Sequence, residues 1–168
     1  MSSHWLISIF QEKNIITEGE YTLKSGEKTN FYIDLRKLIS YPSILEKISF
    51  VLSQKVRNLE FDRICAIPYG GLPIATIMSL QLKKPMIFFR KQSKNHGISN
   101  IIEGNWEEGD RILFVDDVIT TGTSIKEAKY LLKFAKFNII GSVVVVDRSD
   151  SEIDLNMDLI SCLKLEDL

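Results

Sequence analysis

Two adjacent carboxylates, Asp116 and Asp117, end an apolar run and are followed at once by Val118-Ile119-Thr120-Thr121-Gly122-Thr123-Ser124, which opens a helix. Such a loop offers backbone N–H groups, hydroxyls and the positive end of a helix dipole, a combination that binds a phosphate. Gly122 lets the backbone approach the anion closely. The two acids would repel a phosphate, so they suit another part of the same ligand. They can accept from the vicinal hydroxyls of a sugar and, through water, reach a divalent cation. A turn at Asp117 and a helix cap at Ser124 explain part of the pattern, but a cap does not require two acids beside so many small polar residues. The chemistry is that of a phosphorylated ribose.

VDDVITTGTS resembles the signature of the type I phosphoribosyltransferases, which bind 5-phosphoribosyl 1-diphosphate. The resemblance implies that Asp116 and Asp117 hold the ribose hydroxyls while the loop from Val118 to Ser124 holds the 5′-phosphate. A second constellation is FRKQSKNHG, residues 89–97, where Arg90, Lys91, Lys94 and His96 bring four potential cations together. The chain's formal net charge is −1, so these residues make a local anion site rather than part of a general field. On a loop that can close, they would neutralise a departing diphosphate. An exposed, solvated loop is the plain alternative. RKxxKxHG, however, matches the catalytic loop of the orotate phosphoribosyltransferases, and purine-salvage relatives do not carry it in this form.

Three further segments extend that resemblance. YTLKSGEKTNFYIDLR is similar to the N-terminal element with which orotate phosphoribosyltransferases close over the base. It implies a diphosphate or base contact for Lys24, with Phe31 and Tyr32 nearby. Gly26-Glu27-Lys28-Thr29 is not a nucleotide-binding P-loop: Gly and Lys are not adjacent, and neither the upstream Gly nor a preceding apolar strand is present. In IPYGGLPIA, Tyr69, Gly70 and Gly71 form a turn whose N–H groups can cup a diphosphate. Many family members carry Lys where this chain has Gly70. Arg148 closes a strand where the orotate enzymes pair an Arg with the substrate carboxylate, a bidentate contact that Lys makes poorly. Here Arg148 is followed by SDSEID rather than a Gly-containing segment, which implies reduced C-terminal elements.

The resemblance spans about Tyr21 to Arg148 and implies transfer of 5-phosphoribosyl to orotate, giving orotidine 5′-monophosphate and diphosphate. Lys91, Lys94, His96, Asp116 and Asp117 would be the catalytic residues, and Thr120 would join Lys24, Phe31, Tyr32 and Arg148 at the base. Mg²⁺ would be held mainly by the diphosphate, with Asp116 or Asp117 touching it only through water. A homodimer with shared active sites is also implied. A transferase for another nucleobase would keep the Asp116–Ser124 loop without LKSG or RKxxKxHG. A non-catalytic sensor of the sugar diphosphate that binds nucleic acid would add a basic face or a DNA-binding segment, and neither is present in the sequence.

These residues require elements to hold them. Apolar residues Trp5, Leu6, Ile9 and Phe10 predict an N-terminal helix, and Glu18 to Glu20 reads as a turn. The stretch after it reads as a hairpin around Ser25-Gly26. From Pro42 onward, helices alternate with buried strands. Ile44, Leu45, Ile48, Val51, Leu52, Val56 and Leu59 hold a helical stripe that a Ser43/Glu46 capping box could open. RICAIP, PMIFF, RILFVD and IIGSVVVVD read as strands, with helices at Gly71–Leu82 and Ser124–Phe137. Strands apolar on both faces indicate a covered parallel sheet, and in such sheets ligands bind beyond the strands' carboxyl ends. Every strong motif falls at those ends. The expected fold is therefore α/β of the type I phosphoribosyltransferase kind: a central, mostly parallel five-stranded sheet flanked by helices. Residues 1–168 form one domain, with about 1–40 a helix and small hood and about 41–168 the core.

The composition, 45% hydrophobic and 26% charged, is that of a folded globular chain and excludes disorder. Near-neutral net charge gives no reason to expect nucleic acid or an anionic membrane as partner. The N-terminus lacks the basic start and cleavage site of a signal peptide, and no apolar stretch approaches bilayer length. Cys65 and Cys162 have no metal-binding or disulfide spacing, which fits a reducing, cytoplasmic setting.

Overall fold

The computed structural model describes residues 4–22, 28–90, 101–149 and 153–167. Helix α1 (His4–Glu12) buries Leu6 and Phe10, four residues apart on one face. Strands β1 (Ile16–Thr22) and β2 (Lys28–Ile33) pair antiparallel, from Ile16 opposite Ile33 to Thr22 opposite Lys28. Glu18 to Glu20, expected as a turn, lies inside β1. The register shifts between Glu18 and Tyr21, so an irregularity in the ladder absorbs this polar stretch without ending the strand. A 3-10 helix (Leu35–Ser40) then leads to α2 (Pro42–Val56).

The predicted capping box is absent from α2. Tyr41 holds the N-cap position without a side-chain bond, and Ser43 is already helical. Pro42 starts the helix because it has no N–H to satisfy there and its φ is preset. The buried face carries Leu45, Ile48, Leu52 and Val56, and the Ser53 hydroxyl on that face donates to Gln81 Oε1 at 2.9 Å. The Lys47 ammonium sits 4.1 Å over the Trp5 ring and ties α2 to α1.

Strands β3 (Arg63–Ala66), β4 (Met86–Phe89), β5 (Ile102–Glu103), β6 (Arg111–Ile119), β7 (Asn138–Asp147) and β8 (Asp158–Lys164) form the central sheet in the order β5-β4-β3-β6-β7-β8. All neighbours are parallel except β4 and β5. Among the described residues the sheet thus has six strands, not the five expected, and the hairpin stands apart as a separate two-stranded sheet. The C-terminal segment after Arg148 is not simply reduced: residues 158–164 return as β8 beside β7. Helix α3 (Gly71–Leu82) forms as predicted, with Pro73 in its first turn. Helix α4 (Thr123–Leu131) is shorter than expected. It gives way to a 3-10 turn at Lys133–Ala135, and Lys136 at φ 51° ends it before β7.

Side chains alternate across the sheet. Leu113 and Val115 of β6 join the cluster with Phe10, Ile48, Leu52 and Met78, while Ile112 and Phe114 join the opposite one with Ile125 and Leu132. At the strands' starting edge, Arg111 grips Asp62 with bonds of 3.0 Å and Glu60 at 2.8 Å, and Arg63 pairs with Asp110. This ionic clamp sets the register of β3 and β6 and leaves their carboxyl ends for the site. No helix among the described residues is long and apolar enough to cross a membrane.

Candidate active site

Strand β6 runs on through Asp116 and Asp117 to Ile119, so the two acids project from extended backbone rather than from the loop. Alternation then turns them to opposite faces. Asp116 is 6% exposed, and its Oδ1 accepts the Asp117 N–H at 2.9 Å. Asp117 is half-buried, and its Oδ1 accepts the Val118 N–H, also at 2.9 Å. These local bonds hold each carboxylate against its own strand.

Beyond Ile119 the chain forms a cup of about 50 Å³ lined by Asp116, Val118, Ile119, Thr120, Thr121, Gly122, Thr123, Ser124 and Ile125. Clefts that engulf a whole drug-sized ligand run to roughly 300–1,000 Å³, so this cup fits one end of a ligand. Gly122 is the N-cap of α4 at φ 74°, a left-handed conformation that most side chains disfavour. A Cβ on Gly122 would lie 2.9 Å from Leu155 Cδ2 and 3.0 Å from Ile153 Cγ2. The first N–H to find an intrahelical acceptor is that of Lys126, bonded to Gly122 O at 3.0 Å. The amides of Thr123, Ser124 and Ile125 therefore remain for an anion, beside the paired hydroxyls of Thr121 and Thr123 at 2.8 Å.

Tyr69, Gly70 and Gly71 lie at the end of β3, next to β6, with the Pro68–Tyr69 peptide cis. Ile67 N–H donates to Val115 O at 2.8 Å, which draws this turn against β6. A Cβ on Gly71 would meet Val115 O at 2.2 Å, so the backbone approach itself excludes a side chain. A Cβ on Gly70 would lie 2.1 Å from Asp117 Cγ. The space that a Lys side chain would leave from is filled by the Asp117 carboxylate. Tyr69 is 73% exposed at the mouth of the turn.

On the other flank of β6, Arg148 N–H donates to Ile119 O at 2.8 Å, fixing the end of β7 to the start of the cup. The Arg148 guanidinium lies over the Phe31 ring, 4.8 Å from its centroid. Tyr32 turns instead to Tyr21, ring centroids 5.6 Å apart. The structure therefore joins the hood to the sheet through Phe31 and Arg148, two residues the sequence assigned to the base. Arg90 closes β4, with its N–H on Ile101 O at 2.9 Å and its guanidinium on Glu103 Oε1 at 3.0 Å. Two strand spacings, ~10 Å, separate β4 from β6, so Arg90 marks the root of the cationic loop rather than the cup. Lys24, Lys91, Lys94 and His96 lie outside the described residues.

The candidate site gathers no metal-holding group of its own: among the described residues no three His, Cys, Asp or Glu side chains converge. The carboxylates fit a cation that arrives with a phosphate ligand, because Asp116 lines the cup and Asp117 adjoins the Gly70 turn. Neither cysteine offers a nucleophile. Burial pushes the Cys65 thiol up and raises that of Cys162 to about 12.

Sequence reasoning missed three contributors. Ile153 and Leu155 pack beneath Gly122, and Lys129 Nζ holds Leu155 O at 3.0 Å. Ile153 belongs to the SDSEID segment and Leu155 stands just beyond it, where no periodic pattern marks them. The third is Arg36, in the YIDLR run, where nothing local separates it from an ordinary surface cation.

A phosphate cup after the central strand of a parallel sheet, with two acids on that strand and a hood above, defines the type I phosphoribosyltransferase fold. A family model described as the phosphoribosyl transferase domain matches residues 37–168. An orotate phosphoribosyltransferase of Archaeoglobus fulgidus is 37% identical over 97% of this chain and 89% of its own length. That of Pyrococcus furiosus is 40% identical over 86% of this chain and 81% of its own. Among solved structures, the orotate phosphoribosyltransferase of Aeropyrum pernix superposes with a TM-score of 0.81 at 29% identity, covering 96% of this chain and 94% of that one. Leishmania donovani UMP synthase gives 0.88 at 32% identity, covering 99% of this chain and 37% of that longer one. The chain belongs to the orotate phosphoribosyltransferase family.

Proposed function

We propose that this protein transfers the 5-phosphoribosyl group from 5-phosphoribosyl 1-diphosphate to orotate, in pyrimidine biosynthesis in the cytoplasm. One observation carries the reading. Asp116 lines the phosphate cup, Asp117 beside it on β6 adjoins the Gly70 turn, and Arg148, stacked on Phe31, is hydrogen-bonded through its backbone to the same strand end.

The roles follow from the chemistry of each group. Amides and hydroxyls from Thr120 to Ile125 take the 5′-phosphate. Asp116 and Asp117 accept from the ribose hydroxyls and stabilise positive charge as the anomeric carbon gains oxocarbenium character. That carbon loses its bond to the diphosphate oxygen, which keeps the electron pair, and gains one to a ring nitrogen of orotate, whose proton passes to a base or to solvent. Arg148 takes the orotate carboxylate, with Phe31, Tyr32, Thr120 and Lys24 around the ring. Tyr69, Gly70 and Gly71 offer the diphosphate backbone N–H groups, while Arg90, Lys91, Lys94 and His96 neutralise it as it leaves. Mg²⁺, held mainly by the diphosphate and reached by Asp116 or Asp117 through water, would withdraw charge from the leaving group. His96 is suited to proton transfer near neutrality, with Asp117 the other candidate. Two subunits share their sites, each lending its cationic loop to the other. Much of the rate comes from holding the two substrates in line.

The test monitors orotate loss by absorbance with the sugar diphosphate and Mg²⁺, with uracil, adenine and hypoxanthine in parallel. Orotate turnover alone is the expected result. Clear use of another base without orotate turnover overturns the base assignment and leaves the fold standing.

A further inference from the structure

Strand β2 ends at Ile33, and the 3-10 helix after it packs against β6. Leu35 and Leu38 are buried and anchor this turn, and Arg36 between them is exposed. Its guanidinium is nevertheless held in place. Arg36 Nε donates to Asp34 Oδ1 at 2.8 Å, and Nη2 reaches the Tyr32 hydroxyl at 3.4 Å. Asp34 is itself fixed, its N–H bonded to Ile15 O at 2.8 Å. The Tyr32 ring is braced by Tyr21. Among the described residues Nη1 has no acceptor, so the outer edge of the guanidinium remains available to a ligand.

An exposed Asp–Arg pair contributes little to stability, so folding does not account for a guanidinium ordered by an acid, a phenol and two buried leucines. Its surroundings do. The Arg36 pKa is raised first by the hydrogen bond and charge of Asp34, and the Asp117 carboxylate also contributes. Leu35 and Leu38 pack in the same cluster as Leu113 and Val115 of β6, and strand alternation turns Asp117 to that face as well, so the 3-10 turn and Asp117 share one side of the sheet. Asp117 is also the residue that fills the space above Gly70, on the turn that faces the diphosphate. Gly70 supplies no cation there, and the carboxylates beside it repel an anion.

We propose that Arg36 is a further substrate-binding residue, which takes the diphosphate of the sugar substrate on the Gly70 side of Asp117. The inference rests on reading the ligand as a sugar diphosphate, but not on which base accepts the sugar. Arg148 and Arg36 then divide the anions, the first at the base carboxylate and the second at the diphosphate.

Titration of the full chain with inorganic diphosphate and Mg²⁺, and separately with orotidine 5′-monophosphate, tests this. In Arg36→Gln the diphosphate Kd should rise roughly tenfold or more, the worth of one charge-assisted hydrogen bond. The mononucleotide Kd should stay within about twofold, and Arg36→Lys should recover part of the loss. Asp34→Asn, which loosens the guanidinium, should fall between wild type and Arg36→Gln. An unchanged diphosphate Kd in Arg36→Gln overturns the proposal, as does an equal loss for both ligands. Wild-type protein that binds no diphosphate removes the sugar-diphosphate reading itself, a result distinct from wild-type binding that Arg36→Gln leaves intact.

Discussion

Arg148 and Phe31 meet as cation and ring, 4.8 Å from guanidinium to centroid, although one ends a core strand and the other belongs to the hood. The contact fixes the guanidinium from one face. Arg148→Lys should therefore raise the KM for orotate roughly tenfold to a hundredfold while changing that for the sugar diphosphate little. Phe31→Ala should cost less, in line with a cation–π contact of about 0.5–2 kcal/mol. Steady-state kinetics with each substrate varied in turn decide it. A KM change confined to the sugar diphosphate would place Arg148 at the wrong substrate.

Gly70 is confined by Asp117, not by its backbone angles. Gly70→Ala should push the Asp117 carboxylate off its strand and raise the KM for the sugar diphosphate about tenfold, with a small change in Tm. In an Asp117→Ala background the same substitution should be nearly silent, since the overlap is gone. Fully additive losses in that double-mutant cycle would show that the two residues do not meet.

Gly122 combines a left-handed backbone with close contacts from Leu155 and Ile153. Gly122→Ala should cost about 1–2 kcal/mol from the backbone alone. For a chain of this size that is a Tm fall of about 2–8 °C. The phosphate cup should suffer more than the base site, so the KM for the sugar diphosphate should rise before that for orotate. Adding Leu155→Ala should return part of the affinity by making room. A double variant no better than Gly122→Ala would leave the backbone angle as the whole cause.

Acid stability reports on the clamp at the opposite edge of the sheet. The side-chain and backbone hydrogen bonds from Arg111 hold the Asp62 carboxyl down at about 2, against an ordinary 3.8. A depressed folded-state pKa means stability that is fully present above about 3.8 and is lost as pH falls toward 2. Asp62→Asn should flatten that part of the curve of Tm against pH and leave the neutral region parallel to wild type. An identical acid limb in the variant would remove Asp62 as its source.

Shared active sites have a test that needs no structure of the dimer. Lys94→Ala and Asp116→Asn subunits, each inactive alone, should regain part of the activity when mixed, through hybrid sites that carry neither lesion. A mixture as inactive as either parent means that each subunit works by itself.

Much of this protein is legible from local pattern. An apolar run ending in Asp116-Asp117 and followed by Thr, Gly and Ser specifies a strand, an anion loop and a helix start, because those signals act over a few residues. The stripe in α2 and the two-faced burial of β6 and β7 are legible for the same reason. Local rules also misled where a neighbour overrode them: Pro42 removed the need for a capping box, and a register shift kept Glu18 to Glu20 within β1.

Tertiary structure alone decided the rest. Strand β5 has two residues and depends on β4 for its pairing, while β8 is an edge strand with little buried pattern, so neither is marked by periodicity. That Gly70 abuts Asp117, that Leu155 lies under Gly122 and that Arg148 covers Phe31 depends on where strands and hood come to rest. Arg36 is one more surface cation until the 3-10 turn sets it beside β6. Residue type determined which groups could hold a phosphate, a ribose or a carboxylate. Only the packing of distant segments determined which of them face the same ligand, because helical and strand periods extend no further than a few residues along the chain.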